Sequence, residues 1–277
     1  MKKMNISKFL IYCVLVIVSI TMLVPFLWMF LTAFKTTAET MQVDPFVIIP
    51  SVWQTQNFTN VIKAMDFVKL YTNTLLMVAF RILFAVLTAT LAGYAFARLE
   101  FKGKNILFAA LLATMMIPGE LFTITNYQTI ALLNWKQTYV VLIVPFLVSV
   151  FYIYLLRQNF LQIPNELYLA AKVDGTSDIK YLWKVMIPLA LPTLISITIL
   201  KMMGAWNSYM WPLLVANDEN HRLITNGLRT AFEAVDGYTN YPTQMAAVAI
   251  VSFPLFLVFI FLRKYIMKGV SRSGIKG

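Results

Sequence analysis

Residues Pro164–Pro188 read PNELYLAAKVDGTSDIKYLWKVMIP, a charged, turn-bearing segment set between two long apolar runs. Pro164 is suited to open a helix, and Glu166 falls in its first turn, where the positive end of the helix dipole favours a carboxylate. Leu167, Ala170, Ala171 and Val173 then share a face made largely of small side chains, which lets another backbone approach closely. Asp174-Gly175 breaks the helix with a turn. Thr176 or Ser177 caps the next helix, whose Ile179, Leu182, Trp183 and Met186 recur at helical spacing and lead into the following apolar run. The segment is expected to be a helix-turn-helix lying along a membrane, a docking element and not a span. A plain amphipathic loop helix resting among headgroups has the same pattern.

The flanking chain sets this element in a membrane. Of 277 residues 60% are hydrophobic and 13% charged, too little polar surface to cover a water-soluble globule. About 20 apolar residues cross the roughly 30 Å hydrocarbon core, and six runs qualify: residues 10–33, 71–97, 106–126, 139–156, 186–205 and 244–262. The first is too long for a signal peptide, contains Pro25 and lacks a small-x-small cleavage pattern, so it is expected to be retained. The second and third hold few breakers. Pro188 and Pro192 in the fifth and Pro254 in the sixth predict kinks there. The fold class is an all-α polytopic membrane protein with six transmembrane helices.

Lysine and arginine set the orientation. One parity of ends and loops carries Lys2, Lys3, Lys8, Arg98, Lys102, Lys104, Arg157, Lys172, Lys180, Lys184, Arg263, Lys264, Lys268, Arg272 and Lys276. The other has only Lys35, Lys63, Lys69, Lys136, Arg222 and Arg229, together with most of the acids. Both termini and the 157–188 connection are therefore expected in the cytoplasm, and residues 34–70 and 206–243 outside. The net charge of +11 lies mainly where anionic headgroups favour it, and its dispersal between spans argues against nucleic acid as a partner.

Reactive chemistry is sparse. No G-x-x-x-x-G-K-S/T loop is present, His221 stands alone on an outer loop and Cys13 is the sole cysteine, so no catalytic or metal-binding residue is assigned. Arg81, Glu120 and Lys201 lie in or near spans, where an ionised group costs about 2.5–3.5 kcal/mol and must face protein or water. Snorkelling to the interface is one reading; contact with cargo or a partner subunit is the other.

Ala170-Ala171, Asp174-Gly175 and the closing Pro188 are spaced as in the "EAA" loop by which permease subunits of ABC importers grip their ATPase subunits, and the rest of the chain is similar to the carbohydrate-type branch of that family, the maltose-permease-like second subunit. The resemblance runs through Asn73-Thr74-Leu75, Gly93-Tyr94-Ala95-Phe96-Ala97-Arg98, Phe101-Lys102-Gly103-Lys104 and Met116-Ile117-Pro118-Gly119. It continues through Leu132-Leu133-Asn134, Arg157-Gln158-Asn159-Phe160, Trp206-Asn207, Trp211-Pro212-Leu213 and Lys276-Gly277. It implies a type I ABC importer permease fold: an N-terminal helix and outer loop (1–69), a five-helix core (70–264) with its cytoplasmic coupling loop at 157–188, and a cytoplasmic tail (265–277). It also implies half of a translocation pathway in a prokaryotic plasma membrane, a second permease subunit, two ATPase subunits carrying ATP and Mg, and an extracellular sugar-binding protein. The chain itself would be non-catalytic and without cofactor.

Glu166, Leu169, Ala170, Ala171, Asp174 and Gly175 become the coupling residues. The family usually has glutamate where this chain has Leu169, and Glu166, three residues earlier on nearly the same face, is its expected substitute. Trp206, Asn207, Tyr209 and Trp211 supply aromatic platforms with a hydrogen-bonding neighbour, as a sugar pathway needs; an interfacial aromatic belt has the same composition. The cargo expected is a sugar or oligosaccharide, with a polyol or glycerol phosphate as the alternative. An ion-coupled secondary transporter would require mid-membrane carboxylates or an inverted repeat, and neither is visible.

Overall fold

The computed structural model describes residues 6–43, 46–232 and 240–271. Among them every regular element is a helix. In chain order these are α1 (Ile6–Ala33), α2 (Thr37–Met41), α3 (Gln56–Ala64), α4 (Phe67–Arg98), α5 (Lys104–Thr114), α6 (Thr123–Leu132) and α7 (Tyr139–Ile143). There follow α8 (Val150–Leu161), α9 (Asn165–Val173), α10 (Asp178–Tyr181), α11 (Ile187–Trp206), α12 (Met210–Val215), α13 (Ile224–Phe232) and α14 (Tyr241–Ser271). Four unbroken stretches are long and apolar enough to cross a membrane, and two bent pairs bring the number to six. All six coincide with the runs expected from the sequence. The tail from residue 272 onward, Asp44, Glu233 and Asp236 lie outside the described residues.

The chain divides into two compact units: residues 1–67 with 227–254, and residues 68–226 with 255–277. In the first unit α1 is exposed along nearly its whole length, as a lipid-facing span requires, and buries only Thr32 and Ala33 at its end. The segment after it folds into a polar clasp. Thr36 and Glu39 form a reciprocal capping box, and the Glu39 carboxylate also accepts from the Ser51 amide at 2.8 Å and from the Ser51 hydroxyl. The Lys35 ammonium, 1% exposed, donates to the Val47 carbonyl at 2.6 Å and sits 4.0 Å over the Trp28 ring. Asn57 donates to the carbonyls of both Ala33 and Lys35 at 2.9 Å. Burial pushes the Lys35 ammonium down, opposed by the charge of Glu39.

Hydrogen bonds from the Ser51 hydroxyl and from the Thr36 and Ser51 amides hold the Glu39 carboxyl down to about 2, against an ordinary 4.5. The folded clasp thus binds fewer protons than the unfolded loop between those two values. Its stabilisation is complete above about pH 4.5 and is lost as the pH falls toward 2. Acid titration monitored by tryptophan fluorescence should show a transition in this window that Glu39→Gln removes; identical titrations of the two proteins would refute the role given to Glu39.

The second unit holds α4 to α12. Its core at one end is built from α4, α8 and α11, where Ala89, Tyr94, Ile153, Leu156, Phe160 and Ala190 are nearly fully buried. Gly93 permits this closeness: a Cβ there would lie 3.1 Å from the Leu156 Cβ and 3.3 Å from the Arg157 amide nitrogen.

The third span, in which few breakers were noted, and the fourth are both bent. The third bends by 81° between α5 and α6, at Met116-Ile117-Pro118-Gly119. Pro118 (φ −57°, ψ 127°) supplies no amide and turns the chain out of the helical region, an effect its place within an apolar run concealed. The fourth bends by 41° between Tyr139–Phe146 and Val150–Leu161, with Ser149 extended.

Such a break leaves carbonyls without helical partners in a place where water does not compensate them. The Arg81 Nε donates to the Leu142 carbonyl at 2.6 Å, the Lys201 ammonium to the Phe146 carbonyl at 2.9 Å and the Thr88 hydroxyl to the Leu147 carbonyl at 2.9 Å. Arg81, 3% exposed, also lies 3.8 Å over the Phe146 ring. Two of the three charges noted in the sequence therefore cap a broken helix at its negative end and do not snorkel. Glu120 is exposed, in the turn that follows Pro118.

Pro192 and Pro254 sit inside continuous helices. Near Pro188 the adjustment takes another form: Leu182–Met186 is a π turn in which the Ile187 amide donates to the Leu182 carbonyl, five residues back. A proline lacking its own amide is accommodated by this one-residue insertion.

Candidate functional site: a clamped helical hairpin

The Pro164–Pro188 segment is a helix-turn-helix. Its α9 starts after Pro164 and ends in a Schellman motif: the Thr176 amide donates to the Ala171 carbonyl at 2.8 Å and the Gly175 amide to the Lys172 carbonyl at 3.0 Å. Gly175 takes φ +69°, a value that favours glycine, so the Asp174-Gly175 pair sets the turn. Of the two candidate caps Ser177 is the one used; its hydroxyl accepts from the Lys180 amide.

Of the six coupling residues expected from the sequence, Glu166, Leu169 and Ala170 are exposed on α9. Ala171 is half-buried against the core, and Asp174 and Gly175 make the turn. Leu167 (44% exposed), Leu169 (55%), Val173 (89%), Ile179 (69%) and Trp183 (56%) leave the hairpin with an uncovered apolar surface. Leu182 and Met186, grouped with Ile179 and Trp183 by spacing, are fully buried and hold the second arm to the core.

The hairpin is tied down by residues that sequence reasoning did not select. The Asp178 carboxylate accepts from the Tyr94 hydroxyl at 3.0 Å, the Tyr168 hydroxyl at 2.9 Å and the Lys172 ammonium at 2.9 Å, joining α4, α9 and α10. Tyr181, 1% exposed, packs edge-on against Tyr168 with ring centroids 5.3 Å apart. The contact with Asp178 raises the Lys172 ammonium above its ordinary value. One turn beyond Tyr94, the Arg98 guanidinium donates to the Phe160 carbonyl at 2.9 Å, to the Ile163 carbonyl and to Asn165 Oδ1 at 3.2 Å. The end of α8 and the start of α9 are thereby fixed to the end of α4. A signal was present: a tyrosine and an arginine four residues apart at the end of a span need acceptors, and Asp178 is the one carboxylate in the hairpin's second arm.

At the opposite end of this unit, Asn73 donates to the carbonyls of Asn220 (2.8 Å) and Arg222 (3.0 Å) and accepts from the Tyr139 hydroxyl at 2.6 Å. Thr74 accepts from the Ile224 amide at 2.8 Å. The Asn73-Thr74 pair thus anchors the loop that precedes α13.

The four aromatic-cluster residues do not form one face. Trp206 is 4% exposed and its indole nitrogen finds no acceptor among the described residues. Trp211 donates to the Val141 carbonyl at 3.1 Å. Asn207 is exposed where α11 ends, and Tyr209, 41% exposed, accepts on its carbonyl from Asn226 at 3.1 Å. Among the described residues no group of histidine, cysteine or carboxylate side chains is arranged to hold a metal ion.

Comparison with known proteins fits this arrangement. The chain is 29% identical over 255 residues to the arabinooligosaccharides transport system permease protein AraQ of Halalkalibacterium halodurans, covering 91% of both proteins. It is 28% identical over 281 residues to the trehalose/maltose transport system permease protein MalG of Thermococcus litoralis, covering 100% of both. A solved structure of a bacterial ABC transporter involved in the import of the acidic polysaccharide alginate contains a chain with the same fold, with a TM-score of 0.83 at 22% identity over 94% of this chain and 96% of that one. The family model described as binding-protein-dependent transport system inner membrane component matches residues 1–272. Because that match takes in the spans and the hairpin together and not a fragment of either, this chain belongs to the family of inner membrane components of binding-protein-dependent transport systems.

Proposed function

We propose that this chain forms half of the translocation pathway of an ATP-driven importer for a sugar or oligosaccharide, and that its hairpin is the surface on which a cytoplasmic ATPase subunit pulls. The observation that carries this reading is the pairing of an uncovered apolar surface on α9 and α10 with a clamp that fixes the same hairpin to α4 and α8. A partner seated on that surface moves rigid spans and not a loose loop. The oligosaccharide and disaccharide permeases among its relatives support the cargo class. A second, different permease subunit completes the pathway, an extracellular binding protein delivers the cargo, and ATP and Mg reside on two ATPase subunits.

The chain contributes no phosphate-binding loop and acts without catalysis of its own. The lysine and arginine distribution supports a cytoplasmic side for the hairpin and both termini. Contact of Arg98, at the end of α4, with Asn165 in the hairpin supports a shared face for these positively charged ends.

Val173 and Glu166 test the surface directly. Val173→Asp should lower co-purification of the ATPase subunits by more than tenfold and abolish uptake, because it puts a charge where an apolar side chain 89% exposed awaits cover. Glu166→Ala should reduce both severalfold if its carboxylate serves in place of the one missing at Leu169. Unchanged association and uptake in both variants would refute the docking role.

A further inference from the structure

Between the end of α4 and the start of α5 a cavity of about 530 Å³ opens beside α8. Phe96, Phe101 and Ile106 make its wall apolar, while Lys104, Asn105, Arg157 and, at the rim, Glu100 make the rest polar. Arg157 is held in place from two directions: its Nε donates to the Phe96 carbonyl at 3.1 Å and its guanidinium carbon lies 4.1 Å over the Phe108 ring. Among the described residues no acceptor takes its Nη nitrogens. The Lys104 side chain is only 15% exposed, and its partner, Glu100 at 3.2 Å, is 90% exposed and in solvent. Gly103, with φ +78°, precedes α5 and offers no side-chain cap; the Lys104 amide donates to the Phe101 carbonyl at 3.3 Å, and the amides of Asn105 and Ile106, which line the cavity, have no side-chain acceptor.

The depth of the cavity selects the ligand. One span ends at Arg98 and the next begins at Lys104, so the cavity lies where hydrocarbon gives way to headgroups. A group bound there meets the Arg157 guanidinium, the Lys104 ammonium, which it would share with the solvent-exposed Glu100, and a helix N-terminus on one side and aromatic rings on the other, and exposed apolar side chains, Ile106 (76%) and Leu107 (53%), continue away from it along α5. That is the distribution of a phosphodiester attached to an acyl chain. We propose that this cavity is a binding site for one acidic glycerophospholipid, with its phosphate on Arg157 and Lys104 and its glycerol backbone against Phe101 and Ile106. The inference rests on the membrane placement of the spans and is independent of the cargo.

The test titrates the full-length chain, purified in mild detergent, with phosphatidylglycerol or phosphatidylcholine of matched acyl chains and counts bound lipid by native mass spectrometry. One phosphatidylglycerol per chain is expected, retained at least tenfold more tightly than phosphatidylcholine, with retention falling about fivefold in each of Lys104→Gln and Arg157→Gln. Should Arg157→Gln fail to fold, Ile106→Glu, which puts a carboxylate at the cavity mouth, is expected to give the same loss. Equal retention of the two lipids, or retention indifferent to Lys104→Gln and Ile106→Glu, overturns the site. Full displacement by inorganic phosphate at equal concentration assigns a free-anion site and overturns the lipid.

Discussion

Gly93→Leu is expected to yield a chain that no longer packs α4 against α8 and fails to accumulate as folded protein. The glycine sits in mid-helix, so backbone strain is not the cause; space is. Even one added carbon would meet the Leu156 Cβ at 3.1 Å and backbone atoms of Arg157 and Ile153 at 3.3 and 3.4 Å. Side-chain ends can rotate aside, but a helix backbone held by its own hydrogen bonds cannot. Gly93→Ala should therefore cost about 1–2 kcal/mol and Gly93→Leu 3 kcal/mol or more, since the helices must separate around a buried core that includes Ile153, Leu156 and Phe160. Gly119→Ala is the control, because nothing lies within 4 Å of a Cβ at that position. Size-exclusion profiles and Tm of the tagged chains in detergent give the readout. A Gly93→Leu protein with the wild-type profile and Tm would show that α4 and α8 do not meet as described.

The number and order of the spans were legible because apolar runs of sufficient length dominate this chain, and one-dimensional length is what the hydrocarbon core measures. The shapes of the spans were not. Pro118 breaks its helix by 81° whereas Pro192 and Pro254 lie within continuous ones. The sequence holds a proline in each case, and the residue alone does not say which helix breaks. At the fourth-span break the partners are distant in sequence: the carbonyls of Leu142, Phe146 and Leu147 are answered by Arg81, Lys201 and Thr88, residues 55 to 61 positions away along the chain. Read singly, Arg81 and Lys201 were intramembrane charges in want of a reason, and the reason lies on another helix.

The hairpin divides in the same way. Its turn, its cap and its two arms follow from Asp174-Gly175, Ser177 and helical spacing, all local chemistry. Its attachment does not, because the partners of Asp178 lie 84 residues away at Tyr94 and 10 away at Tyr168. Spacing also failed to separate Ile179 and Trp183, which are exposed, from Leu182 and Met186, which are buried, since the π turn at Leu182–Met186 shifts the face of the helix by one residue where the period changes. The four aromatic-cluster residues were grouped by proximity in sequence, and the end of α11 separates them: Trp206 turns into the protein and Asn207 out of it.

Asp178→Ala should uncouple the importer. Its carboxylate is the single acceptor shared by α4 through Tyr94, α9 through Tyr168 and the first turn of α10, where it also favours the helix dipole. Removing it leaves two tyrosine hydroxyls without their acceptor, of which that of Tyr94, on a residue 4% exposed, has the least access to water. The bond from the buried Tyr94 hydroxyl to a charged acceptor contributes about 1.5–3 kcal/mol, and that from Tyr168, whose half-buried hydroxyl water can serve instead, adds less, so the local loss is about 2–4 kcal/mol. The chain should still fold, because Leu182, Met186 and the Schellman turn are untouched. What changes is that α9 no longer moves with α4: the ATPase subunits should remain bound and hydrolyse ATP, while uptake falls more than tenfold. Asp178→Asn keeps an acceptor oxygen and should lie between, and Lys172→Ala should be nearly neutral. A double-mutant cycle with Tyr94→Phe separates a clamp from a merely destabilised hairpin, since a clamp predicts a coupling of about 0.5–3 kcal/mol between the two positions. Wild-type uptake in Asp178→Ala, or additive effects in the cycle, would remove the clamp from the mechanism and leave the hairpin held by its apolar face alone.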